Sequence, residues 1–434
     1  MMTRITLLEE LKSTLVQNNS ISQEVYNSFD VKRGLRNADG SGVLTGLTHI
    51  CAVIGSKVQD GKSEAVDGEL SYRGISIFDV VAACQNVDHF GFEKVSFLLL
   101  LGRWPNAEEL KAFSRLLEES RSLPDAIVSH VIQGISSHNL MNKLQTSVSA
   151  LYSEDDDPDT LDPLENLYKS MDLIAKVPTI LAYSFLKEFS HNPSFLAPKE
   201  GMSTAEAFLY MLREGQPVSE LEKSIFDLCL ILHTEHGGGN NSTFAARVVT
   251  SSGTDIYSAI AAATASLKGP LHGAANIMVM DMMADIKQHV ENWSDREEVR
   301  GYLKKIILKE AHDRSGKIYG LGHAVYTKSD PRATILKEQA LKLAQEKGRM
   351  DELNLYFLIE EEGPKLFEEL KGSDKVIAPN VDFFSGFVYD CLGIPTQLYT
   401  SLFAMARMSG WCSHRIEEIL SGKRIIRPSY KFVK

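Results

Sequence analysis

Apolar residues in this chain recur at three- and four-residue spacing far more often than at two, and that pattern predicts a helical protein. Leu110, Phe113, Leu116 and Leu117 form one apolar face, and Asn106 with Glu109 supplies an N-cap and capping box in front of it. Ser294 and Glu297 repeat the device before Val299, Leu303, Ile306 and Ile307. Asp330 followed by Pro331 predicts a cap with proline in the first turn, and a helix running through Leu336, Ala340 and Leu343 to a stop at Gly348. Pro178 falls inside an apolar helical pattern, so a kinked helix is expected there. Small residues crowd positions 259–267, which lets helices approach closely. Strand signals are few: positions 43–53 and 69–72 carry short β patterns. The acidic stretches 155–159 and 360–364 read as a solvated loop and a helix end. The expected class is all-α with a minor β element near the N-terminus.

Composition narrows the function classes. The 434 residues are 44% hydrophobic and 24% charged, as in a globular protein of two or three domains or of one large domain with an insertion, and no uncharged apolar run approaches a bilayer span. The first ten residues carry acids and no apolar segment, so neither a secretory signal nor an Arg-rich transit peptide is expected, and a cytoplasmic protein without membrane contact is. Cys51, Cys84, Cys229, Cys391 and Cys412 are odd in number, widely spaced and mostly in apolar stretches, which reads as reduced core thiols without structural zinc. The net charge of -11 argues against a nucleic-acid binder. If the substrates are anions, Arg and His must be concentrated locally to attract them.

Such a concentration exists. His272 stands in Lys268-Gly269-Pro270-Leu271-His272-Gly273-Ala274, a backbone-permissive turn. His233 and His236, three apart, are expected on one helix face before Gly237-Gly238-Gly239, and His323 follows Gly320-Leu321-Gly322. The His233/His236 pair has no clear third ligand, so anion or carbonyl recognition suits it better than metal. For His272 alone, a structural histidine after a turn remains as good a reading as a catalytic one. Arg332 occupies the first turn of the Pro331 helix, where free N–H groups and the helix dipole also favour an anion, although a solvated surface Arg is the commoner case. Arg407 lies in a nearly apolar helix, where a guanidinium costs several kcal/mol unless an anion meets it. Asp382, among Val381, Phe383 and Phe384, is either a helix cap or a desolvated, strengthened base.

The set resembles the citrate synthase family, which includes 2-methylcitrate synthase. The residues that carry the resemblance are Leu70-Ser71-Tyr72-Arg73-Gly74, Leu230-Ile231-Leu232-His233-Thr234-Glu235-His236, Lys268-Gly269-Pro270-Leu271-His272-Gly273, Gly320-Leu321-Gly322-His323-Ala324-Val325-Tyr326, Ser329-Asp330-Pro331-Arg332, Pro379-Asn380-Val381-Asp382 and Arg427-Pro428. They stand in family order from about residue 40 to the end.

The resemblance implies an all-α fold with a large helical domain (1–272 and 384–434) and a smaller inserted helical domain (273–383). It implies condensation of acetyl-CoA with oxaloacetate and hydrolysis of citryl-CoA, the citrate-forming step of the tricarboxylic acid cycle, in a homodimer with shared sites. Asp382 would be the base for the acetyl methyl proton, His272 the hydrogen-bond donor to the thioester oxygen, and His323 the group that polarises the ketone. His236, Arg332 and Arg407 would hold oxaloacetate, with Arg427 reaching in from the other subunit. Lys317, Ile318, Tyr319, Gly320, Leu321 and Gly322 correspond to the family's adenine-binding loop, and no cofactor would be permanently bound. Two departures stand out. Ala274 replaces a second glycine after His272, and Thr327 stands where some relatives carry an Arg for a CoA phosphate, a task Lys328 and Lys268 are expected to take. Propionyl-CoA in place of acetyl-CoA, or a non-catalytic relative that only binds CoA or a dicarboxylate, are the alternatives. The intact His272, His323 and Asp382 argue against the second, because binding alone needs no base.

Overall fold

In the computed structural model, which describes residues 4–37, 40–59, 62–85, 89–372 and 377–433, helices dominate. Seventeen α-helices and one three-stranded sheet lie among the described residues. The chain forms two units, Met1–Leu47 and Thr48–Lys434. The first holds helices Arg4–Asn19 and Gln23–Asn27, a 3-10 turn at Arg33–Leu35 and a bridge between Arg36 and Gly42.

The second unit is organised around helix Tyr399–Ser421. Nearly every side chain from Tyr399 to Arg415 is buried, as expected of a helix that is apolar all round. It packs against helices Gly91–Leu101, Pro163–Phe189, Glu220–His233, Asn241–Thr250 and Ile256–Lys268. The 259–267 stretch, rich in Ala, lies in the last of these and is largely buried. Helix Pro163–Phe189 runs unbroken through Pro178. All five cysteines are buried and unpaired. No helix among the described residues is long and apolar enough to cross a membrane.

Several local readings shift. The Asn106–Glu109 capping box forms as expected. At the later repeat the cap is Asp295, whose Oδ1 accepts from the N–H of Glu297 and Glu298, while Ser294 turns back to Asn292. The acidic run 360–364 does not end a helix. Helix Met350–Lys371 continues through Pro364, because Glu361 and Glu362 are neutralised by Arg296, Arg300 and Lys365.

The β element starts later than its sequence pattern suggested. Strand β1 (Cys51–Gln59) pairs antiparallel with β2 (Lys62–Tyr72), which pairs with the short β3 (Ile75–Ser76). The register shifts at Ile54/Ser56, beside Gly55. A Cβ on Gly55 would come within 2.1 Å of the Val325 carbonyl oxygen, and one on Gly68 within 2.1 Å of that of Ser329. The backbone of 325–329 therefore lies directly on the hairpin, and Gly68 N–H donates to Ser329 Oγ at 3.1 Å.

Candidate active site

Helix Glu220–His233 ends because its last carbonyls are taken by other elements. Tyr72 Oη lies 3.1 Å from the Ile231 oxygen, Thr234 Oγ1 donates to Leu230 O at 2.7 Å, and Arg407 Nε donates to His233 O at 2.8 Å. The chain then turns away through Gly237, at φ 87°. His236 thus leaves the helix rather than sharing a face with His233, a departure from the expected spacing. Its buried ring lies edge-on to His323 at 5.2 Å and to Tyr326 at 5.5 Å, and its Nε2 has no hydrogen-bond partner among the described residues. Burial and the charge of Arg332 hold its pKa well below the usual histidine range.

His323 carries the clearest assignment of a proton. Its Nδ1 accepts from the N–H of both Val325 and Tyr326, each at 3.0 Å. A nitrogen that accepts two backbone hydrogens is unprotonated, so in the neutral ring the proton sits on Nε2. Burial and Arg332 push the pKa down to about 4, so the ring is neutral at physiological pH. Tyr326 stacks on this ring at 4.8 Å, with its own hydroxyl buried and without a hydrogen-bond partner among the described residues.

The loop carrying His323 is stitched to the loop carrying Asp382. Leu321 and Pro379 form a β-bridge, Gly322 N–H donates to Ala378 O at 2.8 Å, and Asn380 N–H donates to Gly320 O at 2.9 Å. Gly320 has φ 82°, and a Cβ there would strike Phe383, so only glycine fits. Asn380, not Asp382, caps helix Val381–Cys391: its Oδ1 accepts from Asp382 N–H at 2.9 Å. Freed from the capping role, the partly buried Asp382 carboxyl has its pKa raised to about 6, by burial against the opposing pull of Arg332.

Arg332 is buried, not a solvated surface residue. Asp330 grips it twice, Oδ1 accepting from Nε at 3.1 Å and Oδ2 from Nη2 at 2.8 Å, and the same Oδ2 accepts Val381 N–H at 3.2 Å. Burial would lower the Arg332 pKa, but Asp330 outweighs it and raises it. Arg407 is wholly buried, and neither Nη1 nor Nη2 has a partner among the described residues. Its charge, after burial, helps depress His272 to about 4.

His272 sits on the expected turn, where His272 N–H and Gly273 N–H both reach Gly269 O, at 2.9 and 3.0 Å. A Cβ on Gly273 would come within 2.1 Å of Leu267 O, so the position requires glycine. His272 Nε2 lies 3.2 Å from Ser242 Oγ, which also accepts from Trp411 Nε1 at 3.2 Å.

Not every expected residue joins this cluster. Arg427 is exposed on the C-terminal segment, whose Ile426 N–H donates to Ser251 Oγ. Lys268, Lys317 and Lys328 are exposed, whereas Ile318 is buried and Tyr319 Oη donates to Asp313. Sequence reasoning passed over Ser242, Trp411, Tyr326, Glu235 and His414. One signal was available: Arg407, Trp411 and His414 recur at i, i+4 and i+7, a polar-tipped face on an otherwise apolar helix.

The cluster therefore combines three neutral imidazoles, of His236, His272 and His323, with a carboxyl poised near neutrality and two buried guanidinium groups. That set suits abstraction of a weakly acidic C–H proton beside a bound dicarboxylate.

Residues 39–429 match the family model described as citrate synthase, C-terminal domain. The chain is 38% identical over 368 residues to citrate synthase 2 of Bacillus subtilis, covering 84% of this chain and 90% of that one. It is 33% identical over 422 residues to the 2-methylcitrate synthase of Mycobacterium tuberculosis, covering 97% and 95%. The ternary complex of carboxymethyl coenzyme A and oxaloacetate with citrate synthase from Thermoplasma acidophilum has a similar structure, with a TM-score of 0.76 at 27% identity, covering 93% of this chain and 96% of that one.

Proposed function

Since the chain belongs to the citrate synthase family, a family of acyltransferases, we propose that it condenses acetyl-CoA with oxaloacetate and hydrolyses the resulting citryl-CoA to citrate and CoA. The observation that carries this reading is the fixed, neutral Nε2–H donor of His323 on a loop hydrogen-bonded to the one that carries the raised-pKa carboxyl of Asp382.

Asp382 takes a proton from the acetyl methyl group. His272 donates to the thioester oxygen as charge builds there. The nucleophilic carbon adds to the ketone carbon of oxaloacetate, whose oxygen receives the Nε2–H of His323. His236, Arg332 and Arg407 hold the two carboxylates, and Arg geometry suits bidentate capture. Water then cleaves the thioester and frees the CoA thiol.

The finer features of the reading are these. The loop Lys317–Gly322 receives the adenine of CoA, with Lys268 and Lys328 near its phosphates. Residues 273–383 form a small domain that moves against 1–272 and 384–434 to exclude water from the thioester. The protein acts in the cytoplasm as a homodimer in which Arg427 completes the partner's site; its exposure on an extended tail supports that role.

Thiol release from acetyl-CoA and propionyl-CoA, each with oxaloacetate, tests the function. A higher kcat/KM with acetyl-CoA is expected. The Mycobacterium tuberculosis relative favours the second reading, and a higher value with propionyl-CoA would establish it. One methylene in an apolar pocket discriminates by only about 1–3 kcal/mol, so the two rates should differ by a finite ratio.

The pH dependence follows from the same groups. A base works only when ionised, so kcat/KM should fall with decreasing pH through a one-proton inflection near 6, the raised value of Asp382. His272 and His323 stay neutral until about 4 and add nothing to that limb. A pH–rate profile whose acid inflection lies nearer 4 would contradict the assignment of the base.

A further inference from the structure

Beneath the substrate-facing residues lies a second buried charge cluster, and its hydrogen bonds are distributed unequally. Arg407 is fully buried and uses only Nε, toward His233 O; both Nη nitrogens are unpartnered among the described residues. Glu235 is equally buried. Its Oε1 accepts from Gly237 N–H at 2.6 Å and from His414 Nε2 at 3.1 Å, while its Oε2 has no partner among the described residues. That free oxygen rests on the backbone of Gly410, where a Cβ would come within 2.1 Å. Gly410 is one turn along the same helix from Arg407.

The direction of the His414 bond is fixed from the far side. Its Nδ1 accepts from Arg247 Nε at 3.0 Å and Nη2 at 2.6 Å, so the ring proton is on Nε2 and points at Glu235. Arg247 is itself anchored by Glu417 and by Glu418, the latter at 2.8 Å. The chain from Glu418 through Arg247 and His414 to Glu235 thus crosses from the rim to the interior without reaching Arg407. Burial would raise the Glu235 pKa, but His414 and Arg407 outweigh it and keep the carboxylate ionised.

We propose that His414 and Glu235 are positioning residues for substrate binding: His414 tethers Glu235 as a counter-charge set back from Arg407, which leaves both Nη nitrogens free for a substrate carboxylate. Arg407 needs a nearby negative charge to exist in so buried a place. A Glu free to rotate would satisfy it by direct bidentate pairing, and an intramolecular carboxylate would outcompete any dissolved one. Two bonds to Oε1 prevent that rotation. The inference rests on the proposed role of Arg407 in holding oxaloacetate.

His414→Leu removes the tether at similar volume. His414→Gln retains it, since the amide accepts from Arg247 and donates to Glu235. His414→Leu should raise KM for oxaloacetate about tenfold or more, the range set by one charge-assisted hydrogen bond, with kcat and the KM for acetyl-CoA within about twofold of wild type. His414→Gln should restore KM to within about threefold, because it restores the bond that tethers Glu235. If His414→Leu does not fold, His414→Asn, whose amide is too short to reach Glu235, carries the same expectation. An unchanged KM for oxaloacetate, a loss confined to kcat, or a Gln variant no better than Leu overturns the inference. A wild-type protein that releases no thiol from any acyl-CoA with oxaloacetate would instead overturn the proposed function.

Discussion

Asp382→Asn is expected to lower kcat about 10²–10⁴-fold, the contribution typical of a positioned general base. The amide has the shape of the carboxylate but cannot take a proton. The substitution leaves the helix start intact, because Asn380 and not Asp382 caps it. Oxaloacetate binding, measured by calorimetry, should stay within about threefold, since Asp382 makes no part of the proposed carboxylate grip. A variant that turns over at the wild-type rate would remove Asp382 as the base and favour a protein that only binds CoA or a dicarboxylate.

His272→Ala should cost about 10²–10³-fold in kcat, as loss of one donor to a developing oxyanion does elsewhere. The effect comes from a neutral ring. Burial and Arg407 hold the His272 pKa at about 4, so the group donates without carrying charge at pH 7. A neutral donor is closer in acidity to an enol than an imidazolium is, and so shares its proton without giving it up. Solvent exchange of the acetyl-CoA methyl protons should fall in parallel in this variant and in Asp382→Asn, because base and donor act on one step. Loss of exchange in only one of the two, or a kcat deficit below about tenfold for His272→Ala, would separate their roles.

Helix boundaries set by local chemistry were readable from the chain: the Asn106–Glu109 box and the Asp330-Pro331 start both form where their residues predict. Boundaries set by distant groups were not. His236 leaves its helix because Tyr72 and Arg407, far away in sequence, take the last carbonyls. The acidic run 360–364 stays helical because Arg296 and Arg300 lie across from it. The site divides the same way. Arg407 announced itself as a charge that an apolar helix cannot hold alone, and His272 and His323 by the glycines around them. Asp382 was ambiguous until Asn380 proved to hold the cap. Ser242 and Glu235 gave no warning, since a serine in a first helical turn and a glutamate after a helix are commonplace; only their tertiary partners Trp411, His272 and His414 single them out.

The doubly used Asp330 carboxylate has a consequence for the order of events. One oxygen of this side chain holds Arg332 and also the first N–H of the helix that carries Asp382. A dicarboxylate that pulls Arg332 toward itself therefore pulls on the mount of the base. On the proposed roles, recognition of one substrate and readiness to deprotonate the other would both depend on this one oxygen. If Arg332 grips the dicarboxylate and Asp382 is the base, that shared oxygen would act as an interlock, and methyl-proton exchange from acetyl-CoA alone is expected to be slower than with a dicarboxylate bound.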